Sequence, residues 1–148
     1  MPLATVAILS AVLLVSGGGQ YVRNPPPIAA DNLTKINLFA FGGVGFASRI
    51  SDGERDFRVV MEKPRDEALQ TMETVFANGT VEAKSYALAG IHALSPERFN
   101  ALYPSVAHSP KKVHRMQGCI LYEDTLKEIA RQIREGAYDK DVRHGRNP

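Results

Sequence analysis

The chain has 148 residues, of which 44% are hydrophobic and 23% charged, a size and balance that suit one small globular domain with tails. Its formal net charge of +2 argues against general nucleic-acid binding, which calls for a concentrated basic face. The single cysteine, Cys119, excludes an intrachain disulfide framework and any multi-cysteine zinc site.

Residues 1–19 read as an export signal. Leu3 to Val15 is an apolar run broken only by Thr5 and Ser10, too short for a comfortable membrane span, and Val15-Ser16-Gly17 offers small residues for cleavage. No Lys or Arg precedes the run, so only the amino terminus supplies positive charge there. No Cys follows it, which argues against a lipid anchor. Residues 20–35 read as a linker, with Asn24-Pro25-Pro26-Pro27 favouring extended polyproline geometry. Asn32-Leu33-Thr34 and Asn78-Gly79-Thr80 are sequons that matter only in a glycosylating host.

A helical domain is expected over residues 36–136. It opens with an irregular glycine-rich stretch, INLFAFGGVGFA. Gly43-Val44-Gly45 after an apolar run is the start of a dinucleotide-binding pattern, but Ser48 stands where a third Gly or Ala is needed and the chain restarts at Ser51-Asp52-Gly53-Glu54. A tight bend that lets Phe39, Phe41 and Phe46 reach the core is the better reading.

Ser51 and Glu54 form a capping-box pattern at the head of a helix to Met61, with Phe57, Val60 and Met61 inward. Pro64 opens a second helix to Ala77, striped by Ala68, Leu69, Met72, Val75 and Phe76. Its acids, Asp66, Glu67 and Glu73, read as a solvated face rather than a catalytic pair. Asn78-Gly79 is expected to end this helix through positive φ, and Thr80 to cap the next. In that helix Ala83, Tyr86, Ala87, Gly90, Ile91 and Leu94 share one face. Half of these are Ala or Gly, so the helix is expected at the centre, with Gly90 placed for close packing. Ser95-Pro96-Glu97 restarts a short helix carrying Phe99, Leu102 and Tyr103, and Pro104 stops it.

Ala107 to Arg115 reads as a polar loop. Its Lys111, Lys112, His114 and Arg115 are the candidate partner-binding residues, for an acidic partner or anionic surface; a plain exposed loop is the competing reading and the favoured one. A short extended stretch within Val113 to Tyr122 is expected to lead Cys119 into the core. Glu123 to Glu135 reads as the last helix, with Leu126, Ile129, Ala130 and Ile133 repeating at helical spacing and Gly136 ending it. Residues 137–148 read as a flexible tail.

Little in the sequence points to chemistry. His92, His108, His114 and His144 contain no HExxH spacing, and no GxSxG, P-loop, zinc or calcium loop is present. His114 and Cys119 can pair as base and nucleophile only if the fold brings them within hydrogen-bond reach. The lone thiol of an exported chain can also bridge two copies.

The stretches FAFGGVGFA, SDGERDFR, KSYALAGIHAL and MQGCILYE, spread over most of Phe39 to Tyr122, resemble small exported bacterial helical proteins without an assigned activity. That resemblance implies a fold and an address, not a reaction. The helix pairs also resemble a single unit of HEAT-type repeats, but no repeat period is present. Together these readings predict an all-α bundle of about four to five short helices arranged as antiparallel hairpins, exported, with no metal or cofactor. The expected function is a non-catalytic binding module for an unidentified protein, without nucleic acid and without a membrane span once the signal is removed. Its contact surface is expected at the basic loop or the exposed edge of the Pro96–Tyr103 helix. The alternatives are a small hydrolase or thiol enzyme using Cys119, and an inhibitor or immunity protein for a secreted toxin.

Overall fold

The structure is a computed structural model that describes residues 28–144. The export signal expected at 1–19 and the Asn24–Pro27 stretch lie outside the described residues. Seven α-helices occur among the described residues: α1 (Ile28–Leu33), α2 (Asp52–Met61), α3 (Arg65–Asn78), α4 (Val81–Leu94), α5 (Pro96–Leu102), α6 (Leu126–Arg134) and α7 (Asp139–His144). Between them lie two antiparallel ribbons, β1 (Gly43–Val44) with β2 (Arg49–Ile50), and β3 (Lys112–Gln117) with β4 (Ile120–Thr125).

The fold is therefore mixed α and β, which corrects the all-α expectation. The polar loop and the start of the last helix are in fact the longer ribbon. In β3 only Val113 is fully buried, so its strand alternation carries almost no hydrophobic signal. Gly118 takes φ +58 and turns the chain in two residues, with Gln117 opposite Ile120. Glu123 and Asp124, expected inside the last helix, are strand residues; the cap of α6 is Thr125, whose hydroxyl accepts from Glu128 N–H at 3.2 Å.

Helix α4 is the centre, as its small residues imply. It packs against α2, α3, α5, α6, α7 and β3. Ala83, Tyr86, Ala87, Gly90, Ile91 and Leu94 are all buried. A Cβ on Gly90 would meet Met72 Cγ at 3.0 Å and a Phe57 ring carbon at 3.2 Å, so the bare backbone is what lets α3 and α2 approach. The α3–α4 turn departs from expectation. Gly79 has φ −82, not a positive value; it is needed because a Cβ there would lie 2.7 Å from the Val75 carbonyl oxygen and 2.6 Å from the Ala83 methyl. Thr80 caps α4 by accepting from Ala83 N–H at 3.1 Å, and donates its own proton to the Ile36 carbonyl. Ser51 caps α2 in the same way. Glu54 turns away from the cap and binds Arg58 one turn on.

Tyr86 fastens the segment 39–41 to the helices. Its hydroxyl accepts from Ala40 N–H at 3.0 Å and donates to the Ala40 carbonyl, with Ser51 Oγ 3.1 Å away. Around it Phe39, Phe41, Phe57 and Tyr138 pack largely edge-to-face. Phe39 and Phe41 thus reach the core, but Phe46 does not and stands fully exposed. Two segments outside 36–136 also pack on this core: Leu33 of α1 and Val142 of α7 are both buried.

Candidate functional site: the exposed end of the ribbons

Backbone hydrogen bonds join the glycine-rich segment to the longer ribbon. Phe39 N–H donates to the His114 carbonyl at 2.8 Å, Met116 N–H to Phe39 at 3.0 Å, and Gly45 N–H to Gly118 at 2.9 Å. Strand β3 is thereby covered on both edges. Strand β4 lies outermost, and its far edge pairs with no element among the described residues. In an antiparallel ladder, a residue whose N–H and C=O point away from its partner strand stands opposite one that does the same. His114 and Met116 turn toward Phe39, so Glu123 and Leu121 opposite them direct their backbone groups outward from β4.

This open edge is apolar. Ile120 and Leu121 are each 58% exposed and Tyr122 37%, while Phe46 and Ile50 project from the neighbouring short ribbon tied on through Gly45. Natural edge strands are normally blunted by charge, proline or a bulge where they meet solvent. Nothing in the 120–122 run does that. Sequence reasoning missed this surface. The available signal was three consecutive apolar residues directly after a Gly-Cys turn, a run that no alternating strand can bury on one face.

The predicted basic residues do not make one surface. The pleat places Lys112 and His114 on one face of β3 and Arg115 on the other. Each meets its own carboxylate. Lys112 Nζ is 3.4 Å from Glu123, His114 Nδ1 2.9 Å from Glu82, and Arg115 Nε 2.6 Å from Asp124. The Arg115 guanidinium also stacks 4.3 Å from the Tyr122 ring centre. Glu82, in the first turn of α4, is buried and also accepts from His114 N–H at 3.1 Å, which docks β3 on α4. Lys111 is exposed, and its carbonyl accepts from Leu126 N–H at 2.8 Å.

Cys119 is exposed in the two-residue turn, which corrects its expected place in the core. Half of a tight turn has no inward face to offer. The Cys119–His114 pair is also undone. Three strand residues separate the two along β3, about 10 Å at strand rise, and the His114 ring is held by Glu82. Beside Arg115 lies a cleft of ≈ 340 Å³ lined by Phe39, Gln117, Gln132, Tyr138 and Asp141. Burial pushes the Tyr138 phenol up to about 12, and its hydroxyl lies 2.9 Å from Gln132 Oε1. A phenol held protonated there offers hydrogen bonding, not nucleophilic attack. On the far side His92 packs edge-on against Phe99, with Asp139 3.7 Å from its Nδ1. Among the described residues no three His, Cys, Asp or Glu side chains converge as metal ligands, and no helix is long and apolar enough to cross a membrane.

Comparison with known proteins brings no match: no family model, no curated protein and no solved structure aligns with the chain.

Proposed function

We propose that the chain is an exported, non-catalytic interaction protein that meets its partner at the exposed end of the ribbons. The observation that carries this reading is the placement of Phe46, Ile50, Ile120, Leu121 and Tyr122 in solvent on two hairpins joined by the Gly45–Gly118 hydrogen bond. Large apolar side chains gathered in this way mark contact surfaces rather than incidental exposure. The export half of the reading is supported by the apolar run Leu3 to Val15 and the small residues after it.

The basic residues carry less of it, because Lys112, His114 and Arg115 are each engaged by a carboxylate of the same chain. Charges already met in this way offer little to a partner, and the one pair exposed on both sides, Lys112–Glu123, contributes only about 0–1 kcal/mol. The test is capture from envelope extracts with the full chain. Replacing Phe46 and Ile120 by Asp is expected to abolish capture of a protein retained by the wild type, with an unchanged circular-dichroism spectrum. Charge reversal at Lys111 and Lys112 is expected to leave capture intact. Equal capture by the Phe46→Asp/Ile120→Asp variant sinks the reading.

A further inference from the structure

We infer that the cleft beside Arg115 is a binding site for one neutral sugar unit, held by Gln117, Gln132 and Asp141 over the Phe41 and Tyr138 rings. The inference stands apart from the interaction reading above, since none of Phe46, Ile50, Ile120, Leu121 and Tyr122 lines the cleft.

Separate elements bring the lining together. Arg115 and Gln117, two positions apart on β3, share one face of the strand. Gln132 comes from α6, Tyr138 from the connection after it and Asp141 from α7. The space of ≈ 340 Å³ falls at the small end of the range for small-molecule sites, about 300–1,000 Å³. Gln117 Oε1 accepts from Arg115 Nη1 at 3.3 Å, and Gln132 Oε1 accepts from the Tyr138 hydroxyl at 2.9 Å. Both amides are thus fixed through their oxygens and keep their N–H groups for a ligand. Asp141 supplies the acceptors, because no hydrogen bond or ion pair engages its carboxylate among the described residues. Burial keeps the Tyr138 phenol protonated against the pull of Arg115, with the charges of Asp124 and Asp141 adding to burial.

This mixture of donors and acceptors selects the ligand. Arg115 and Asp141 are the charged residues of the lining, and Arg115 is taken by Asp124 at 2.6 Å. The charge of Asp141 is left over, so an anion is repelled. An ammonium group offers donors only and leaves the Gln117 and Gln132 amides unmet. A peptide strand needs open backbone, but Phe39 gives both its groups to β3 and Ala40 gives both to Tyr86. Hydroxyl groups donate and accept, so a neutral polyol meets the amides and the carboxylate together. Phe41 and Tyr138 are only partly buried, and their rings suit the flat C–H face that a sugar ring has and an open-chain polyol lacks.

Calorimetric titration of the full chain with glucose, galactose, N-acetylglucosamine and cellobiose tests the inference, with glucuronate as the charged control. At least one neutral sugar is expected to bind with a Kd of about 1 mM or tighter, and glucuronate about tenfold more weakly than the best of them. Binding is expected to shift the side-chain amide NMR signals of Gln117 and Gln132. Cellobiose binding more tightly than glucose assigns the ring to the end of an oligosaccharide; the reverse order assigns a free sugar. Asp141→Asn is expected to close the gap to glucuronate, and Gln132→Ala to weaken sugar binding about tenfold, both with unchanged circular dichroism. The wild-type amide shifts carry the test should either variant misfold. Phe46→Asp/Ile120→Asp is expected to bind sugar as the wild type does, which separates this site from the interaction surface. Three outcomes overturn the inference: neither heat nor amide shifts with any neutral sugar, glucuronate bound as tightly as the best of them, and binding indifferent to both Asp141→Asn and Gln132→Ala.

Discussion

Tyr86 shows how much one side chain can organise. It is buried, it touches three aromatic rings, and its hydroxyl serves both backbone groups of Ala40 beside the Ser51 cap. Its place on the inward face of α4 was legible from helical spacing. Its partner was not, because Ala40 lies 46 residues away and carries no side-chain signal of its own. Tyr86→Phe keeps the ring but leaves the Ala40 N–H without its partner, while the Ala40 carbonyl keeps the Ser51 hydroxyl at 3.2 Å, and is expected to cost about 1–3 kcal/mol by urea denaturation. Burial, opposed by hydrogen bonds to Ser51 and Ala40, pushes the phenol from near 10 up to about 12. Above pH 10 the unfolded chain therefore releases a proton that the folded chain retains. Stability is expected to fall between pH 10 and 12, by roughly 2–3 kcal/mol from this group, and Tyr86→Phe should flatten that fall.

Among the elements, the helices were the readable part. Caps at Ser51, Thr80 and Ser95 work locally, through a hydroxyl and an amide three residues on, so their pattern survives in the sequence. Thr80 does a second task by holding the Ile36 carbonyl. Thr80→Ala is expected to cost about 1–2 kcal/mol, and Thr80→Ser to recover most of it, measured by thermal or urea unfolding. The longer ribbon was opaque for the opposite reason. Its strands are stabilised by Arg115–Asp124, Lys112–Glu123 and the docking of His114 on Glu82, pairs between positions that look like separate charged segments until the hairpin folds. Gly118 was a local signal for a turn, but the stretch around it reads as an extended segment carrying Cys119 inward, and only Val113 marks an inner face.

For the molecule as a whole, the core extends beyond its predicted limits. Leu33 and Val142 close it from either end, and α7 rests on α4. Segments of six residues have too few turns for a periodic pattern, so both helices were invisible to spacing arguments. Val142→Asp buries an unpaired charge at this junction, and a loss of about 2–4 kcal/mol in urea unfolding is expected, larger than for any exposed residue of the tail. The two ribbons meet at the opposite kind of boundary, where apolar side chains face water and a strand edge stays open. Among the described residues none pairs with the outer edge of β4 beside Ile120 to Tyr122.

Sequence alone determined the central helices, their caps and the stripe that buries them, because those features depend on neighbours within four residues. Tertiary structure decided the rest. It paired β3 with β4, set the basic residues against carboxylates of the same chain, and turned Phe46 and Cys119 outward. Each of these depends on which distant segment lies alongside, and hydrogen bonds between strands leave no periodic trace when both faces are wet.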